Sequence, residues 1–380
     1  MLADPAALRR TPLDAWHRAQ GARMVPFAGY AMPVQYAPPP ALAARCRGGV
    51  LAEHLHCRTR AALFDVSHMG QAWLTGPGAA AALERLVPGD IAGLPPGHQR
   101  YTLLTNAAGG ILDDLMVANT GEGRLFIVVN ASRKDADFAH IAAALPPGVR
   151  LEPLADRALL ALQGPEAAAV LRRLCAPAAA LPFLGVAALP VAGTDCLISR
   201  SGYTGEDGFE LSVPAAGAEA LAEALLAEPE VAPAGLGARD SLRLEAGLCL
   251  YGSDIDTETT PVEGGLAWTI GKRRRQDWGF PGAAIIRAQI ESGPARRRVG
   301  LRPEGRAPVR AGAPILDVDG VAVGTVTSGL FSPSLNAPIA MGYVQRACAG
   351  PAIRLALHLR GAAVPAVVVR LPFVPHRYVA

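Results

Sequence analysis

Glycine and proline punctuate this chain too often for long helices to form. Its 380 residues include 41 Gly and 33 Pro, with no long low-complexity block to hold them. Glycine weakens a helix interior and proline breaks it. The segments between breaks are therefore short, which favours β-rich architecture with brief helices. The length exceeds one ordinary core, so two or three domains are expected. A chain that is 51% hydrophobic with only 5% aromatic residues should be globular throughout. The net charge of +3 is too small to argue for nucleic acid. No apolar run reaches the ~20 residues that span a bilayer. Residues 1–10 lack a signal core, and Asp4 argues against a transit peptide. A soluble, cytoplasmic protein is expected, with no membrane partner.

The six cysteines, Cys46, Cys57, Cys175, Cys196, Cys249 and Cys348, show no Cys-x-x-Cys spacing. They read as small buried hydrophobes, so neither a metal site nor a disulfide framework is expected.

Along the chain, a short helix at 13–19 precedes an aromatic, Pro-rich entry loop to residue 36. Residues 37–49 read as a loop insertion. Strands are expected at 101–106, 115–119, 124–130 and 158–163, and a second hairpin pairs 196–200 with 209–213. Helices are expected at 50–60, 78–86, 132–144, 166–174 and 217–226, and another starts near residue 238. After Ile290 the texture changes to short strands separated by turns, which suggests a small β-barrel beyond about Gly293.

Five clusters could carry chemistry. Gly-Gly-Ile-Leu-Asp-Asp-Leu at 109–115 delivers two adjacent carboxylates to the start of an apolar strand. Strand alternation points them to opposite faces, so only one can face a pocket. Asp114, next to Leu-Met-Val, is read as the one nearer the core, across from Asn130. The alternative is a turn with two solvated acids. At 200–210, Phe209, Leu211 and Val213 share one face, leaving Glu210 either solvated or set in a pocket to accept N–H donors from a heterocycle, with Tyr203 as a flat wall. At 235–245, Arg239 sits in the first turn of a helix, where a cation opposes the dipole. It is held either by a ligand anion or by Asp240 or Glu245. In Phe-Asp-Val-Ser-His-Met-Gly at 64–70, Ser67 and His68 are strand neighbours pointing apart and form no dyad, and His68 reads as a hydrogen-bonded structural residue. The run Lys272 to Arg275 is either a solvated loop or a patch that steers an acidic partner.

Taken in order, these motifs resemble the glycine cleavage system T-protein (aminomethyltransferase) family. The likeness runs from about residue 11 to residue 378 and adds Thr-Pro-Leu at 11–13, Ala-Leu-Gln-Gly-Pro at 161–165, Thr-Ser-Gly at 327–329 and Ile-Ala-Met-Gly-Tyr at 339–343. The resemblance implies an α+β fold: a three-domain cloverleaf of antiparallel sheets with flanking helices plus a C-terminal β-barrel. Its units would be 1–72 with 170–259, then 73–169, then 260–380 as linker and barrel. It implies transfer of a one-carbon unit from the aminomethyl-lipoyl arm of H-protein to tetrahydrofolate, releasing ammonia. Asp114 matches the family's catalytic aspartate, expected to hydrogen-bond the anilinic nitrogen of folate and stabilise the cation as ammonia leaves. Met69, Tyr101, Asn130, Tyr203, Glu210, Arg239 and Tyr378 match folate-site positions. The chain departs from the family pattern in the longer 37–49 link, in Phe-Pro-Gly at 280–282 and in the basic, Pro-rich stretch 302–310. The alternatives are a tetrahydrofolate-dependent demethylase of a small methylated substrate and a non-enzymatic folate-binding scaffold. Relatives of the latter kind carry a Lys-Gly-Cys-type motif that Gly-Leu-Cys at 247–249 does not reproduce.

Overall fold

A computed structural model describes residues 8–37, 48–359 and 361–379. The expected insertion at 37–49 lies almost wholly outside the described residues, as does Cys46.

Three β-rich units follow from the punctuated sequence. The first is a six-stranded sheet in the order Val186–Val191, Thr194–Ser199, Gly208–Pro214, Arg157–Gln163, Ala61–Asp65, Val231–Pro233, antiparallel except for its last pair. Helices Ala167–Leu174 and Ala218–Leu226 cover one face, packing Val170, Leu171, Leu221 and Leu225 onto Phe209, Leu211 and Val213. Helices Gly49–Thr59 and Leu236–Glu245 cover part of the other, where Cys57, Ala238 and Leu242 meet Phe64 and Ala161.

The second unit is an antiparallel five-stranded sheet in the order His98–Thr105, Ile111–Gly121, Arg124–Val129, Gly70–Thr75, Arg150–Pro153. Its helices Ala79–Glu84 and Lys134–Ala143 lie over Leu115, Val117, Ile127 and Val129. The third unit is a closed barrel of six strands between Arg296 and Val369, filled by Val299, Leu301, Ile315, Val344 and Leu357.

The structure revises three expectations. The sheet of the second unit already includes Gly70–Thr75, and strand Arg157–Gln163 belongs to the first sheet, so the boundaries set at 73 and 169 are displaced. The entry loop to residue 36 is a hairpin, Ala22–Phe27 paired with Tyr30–Tyr36. Ala28 and Gly29 turn it with φ of 48° and 79°, the doubly left-handed geometry that matches strand twist. The run 272–275 is not a free basic patch. Arg273 pairs with Glu84 and Asp90, and buried Arg274 pairs with Asp277.

Buried charges hold the units together. Glu245, fully buried at the end of its helix, accepts from Arg58 Nη2 at 2.9 Å and from Ser332 and Ser334 of the barrel at 2.5 and 2.7 Å. His54 lies 3.1 Å from the same carboxylate. Arg58 also donates to Glu206 at 2.7 Å, and Glu206 accepts from Arg377 near the chain end. A second cluster joins Arg243 to Asp254 at 2.6 Å, and Asp254 accepts from Thr327 and Ser328 of the barrel.

Candidate active site

Asp114 owes its position to strand Ile111–Gly121. Leu104 pairs with Asp113 and Thr105 with Ile111, so Leu112 is an unpaired bulge residue at the entry to the strand. Beyond it, alternation sends Asp113, Leu115 and Val117 towards the helices. Asp114, Met116 and Ala118 face the first sheet. The two acids are therefore placed the other way round from the sequence reading. Asp113 is the core residue, 0% exposed, and Asp114 is the half-buried one, on the sheet face that carries Tyr101 and Met116.

Asn130 clamps both acids. Leu115 pairs with Val129, which sets Asn130 across from Asp114. The Asn130 side-chain amide donates to Asp114 Oδ1 at 2.7 Å and to Asp113 Oδ1 at 3.0 Å, while its backbone N–H donates to Asp113 Oδ2 at 3.0 Å. Tyr101 lies on the same sheet face, opposite Met116. Burial and the adjacent Asp113 charge push the Asp114 pKa up to about 7, against the opposing pull of Tyr101 and Asn130.

Asp113 meets Asp137, which projects from helix Lys134–Ala143 and is 1% exposed. Burial, then the neighbouring carboxyl group, raises the Asp113 pKa, and burial raises that of Asp137, the pattern expected of two carboxyls that share a proton. A raised folded-state pKa contributes stability below the ordinary aspartate value of about 3.9 and loses it as pH rises through the raised value. Asp137→Asn should thus gain roughly 1–2 kcal/mol relative to the parent at pH 9 over pH 5, because one ionised partner is gone and Asp113 keeps its Asn130 donors. Urea unfolding at the two pH values measures this, and equal shifts at both would exclude a shared proton.

The glycines before the strand are required by close approach. A Cβ on Gly110 would lie 1.8 Å from the Thr257 carbonyl oxygen, and one on Gly282 would lie 2.4 Å from the Gly109 backbone. Segment 256–259 also accepts from Ile111 N at 3.0 Å. Gly110→Ala should therefore cost about 1–3 kcal/mol as this packing is forced apart, read as a lower urea midpoint.

Across the cavity, Glu210 and Ser212 alternate with the fully buried Phe209, Leu211 and Val213. Glu210 accepts from Ser201 Oγ at 2.8 Å and lines the cavity with Met116, Val128, Leu159, Leu197 and Gln99. It is not simply solvated. Arg239 pairs with neither of its helix neighbours, because Asp240 accepts from Arg243 and Glu245 from Arg58. Its guanidinium lies 4.7 Å from the centre of the Tyr203 ring, and its Nη1 has no hydrogen-bond partner among the described residues. Burial lowers its pKa. The Tyr203 hydroxyl donates to the Cys249 carbonyl.

The sequence candidates thus divide. Asp114, Tyr101 and Asn130 cluster on one wall. Glu210 stands on the other, with Arg239 and Tyr203 stacked together. Met69, like Val128, packs against the buried cluster that includes Phe64 and Leu159. Tyr378 is set apart, stacked on Phe183 at 4.6 Å, although the tail is joined to the Tyr203 loop through Arg377 N and Gly205 O at 2.8 Å. Ser67 and His68 lie in a turn after strand Ala61–Asp65 rather than in the strand. The His68 ring is not hydrogen-bonded as expected. It is buried, its Nδ1 lacks a partner among the described residues, and burial depresses its pKa to about 3. Trp268 escaped sequence reasoning. It is 65% exposed and stacks on Tyr101 at 5.5 Å, so it stands at the mouth of the site. The available signal was its rarity, as one of four tryptophans.

Among the described residues no group of His, Cys, Asp or Glu is arranged to hold a metal ion, and no helix is long and apolar enough to cross a membrane.

Comparison with known proteins converges on one family. Residues 13–274 match the GCVT N-terminal domain and residues 296–375 the glycine cleavage T-protein C-terminal barrel domain. The chain is 52% identical to the mitochondrial aminomethyltransferase of Gallus gallus over 98% of its length and 94% of that protein. It is 51% identical to the human mitochondrial aminomethyltransferase over 98% and 91%. The crystal structure of glycine cleavage system aminomethyltransferase T from Bartonella henselae superposes with a TM-score of 0.91 at 44% identity, covering 98% of this chain and 99% of that one.

Proposed function

The chain belongs to the glycine cleavage T-protein family of aminomethyltransferases, and from that premise we propose that its inter-sheet cavity takes tetrahydrofolate with Asp114 as the catalytic residue. The observations that carry this reading are a half-buried acid, Asp114, raised to a pKa of about 7 on the wall with Tyr101 and Asn130, a second carboxylate, Glu210, lining the cavity between the sheets, and a guanidinium, Arg239, whose Nη1 has no hydrogen-bond partner among the described residues. These groups fit a flat, polar-edged heterocycle. Glu210, steadied by Ser201, accepts ring N–H groups, and Arg239 offers a free donor or orients that carboxylate. Tyr203, Met69 and Met116 form apolar walls.

Tetrahydrofolate, when bound, supplies the nitrogen that takes up the one-carbon unit. Asp114 is held by the Asn130 side-chain amide at 2.7 Å, with Tyr101 on the same sheet face. It accepts a hydrogen bond at that nitrogen and opposes positive charge developing beside it. A preorganised charge in a water-poor site is effective because no solvent must reorganise around it. The stacked Tyr101 and Trp268 exclude water at the mouth. Tyr378 is assigned to the rim.

Aminomethyltransferases of this system work with H-protein, and we assign the same lipoylated partner here, with no role for nucleic acid or membrane. The relatives above are named as mitochondrial, so the cytoplasmic setting expected from the sequence is carried only as a proposal, tested by fractionation. The reading as a whole is tested by turnover with aminomethyl-lipoyl H-protein and tetrahydrofolate. Ammonia release dependent on both supports it. Folate binding without ammonia release, or turnover of a free methylated amine instead, overturns it.

A further inference from the structure

Gln99 is the polar residue of the cavity wall whose side chain finds nothing to bind. It lies on strand His98–Thr105 opposite Ala118, two residues before Tyr101, which is opposite Met116. It therefore shares the sheet face of Tyr101 and Asp114 and lines the cavity with Glu210. Its backbone is satisfied, since its N–H donates to the Leu184 carbonyl at 2.8 Å. Its side chain is not. The residue is 6% exposed, and Nε2 has no hydrogen-bond partner among the described residues. The other polar groups of the wall are engaged locally. Ser212 Oγ donates to Gln71 at 2.6 Å and accepts from Arg157 at 2.8 Å, and Ser199 pairs with Ser201 at 3.1 Å. A buried amide without a partner is unfavourable, and here it lies on the cavity wall opposite Glu210.

We propose that Gln99 is a specificity-determining residue of this site, donating its side-chain N–H to the ring carbonyl oxygen of the bound pterin; the inference rests on the folate reading above. The chemistry of the two walls is complementary. A pterin edge presents N–H donors beside a carbonyl acceptor. Glu210 is an acceptor only, and Gln99 supplies a neutral donor on the facing wall, in addition to Arg239. A site built to bond a polar group discriminates against the analogue that lacks it.

The test compares Gln99→Leu and Gln99→Met with the parent in equilibrium binding of tetrahydrofolate and of its analogue without the ring carbonyl oxygen. The parent should prefer tetrahydrofolate by about tenfold, and both variants should lose that preference by weakening tetrahydrofolate alone. KM for tetrahydrofolate should rise by a similar factor with kcat unchanged, because Gln99 touches no reacting atom. The ligand-free variants should melt no lower than the parent, because an unpaired buried amide has been removed. Preference retained in the variants overturns the proposal. Equal weakening of both ligands with a lowered melting temperature also overturns it, in favour of a packing role. Failure of the parent to bind either compound overturns the folate reading itself.

Discussion

Asp114→Ala should lower aminomethyl transfer roughly a hundredfold or more, the scale for losing one preorganised electrostatic group. Ammonia release with aminomethyl-lipoyl H-protein and saturating tetrahydrofolate measures it. Folding should be little affected, because burial already disfavours this carboxylate in the native state. The same pKa gives a second signature. Only the ionised form opposes positive charge, so kcat/KM should rise with pH through an apparent value near 7. Asp114→Asn keeps the shape and should abolish both the rate and that rising limb. A variant with full activity at neutral pH would remove Asp114 from the mechanism.

Arg58→Ala should produce the largest loss of stability, about 3–5 kcal/mol, because it strands two carboxylates in the interior. Glu206 and Glu245 are both essentially inaccessible, at 1% and 0% exposure, and Arg58 bonds each. Burial alone would raise the pKa of Glu245, yet the bonds from His54, Ser332 and Ser334 bring it to about 2. A depressed pKa contributes stability above the ordinary glutamate value of about 4.3 and loses it as pH falls towards the folded value. Urea unfolding of Arg58→Ala at pH 7 tests the magnitude. A loss under about 1 kcal/mol would place Arg58 among ordinary surface ion pairs.

The local parts of this architecture could be read in advance, and the assembled parts could not. The hairpin around residues 121–123 announces itself by alternating apolar residues and glycines, and Glu210 by three apolar neighbours of opposite parity. The hairpin at 22–36 was hidden because Pro26 and Pro33 weaken a strand signature that only pairing compensates. Asp114 was read as the more buried of the two acids, and Asp113 is, because adjacency to apolar residues along the chain says nothing about which sheet face carries the helices. Arg239 could not be resolved by spacing, since Asp240 is taken by Arg243 one turn along the same helix and Glu245 by Arg58 from another helix. Sequence order suggests where a chain turns, but the partner of a buried charge is decided by tertiary contacts.

Asp254 and the barrel hydroxyls that it binds also bear on how this chain can be divided. Family descriptions split it at residues 274 and 296, as if a front module and a rear module were joined by a hinge. The interior charges ignore that line. Arg243, Asp254 and Glu245 come from the front, and their oxygen partners Thr327, Ser328, Ser332 and Ser334 come from the rear. A front half produced alone would expose unpartnered ions on a surface meant to be sealed. Chimeras that exchange barrels between relatives would keep their cohesion only where those four hydroxyl positions are matched.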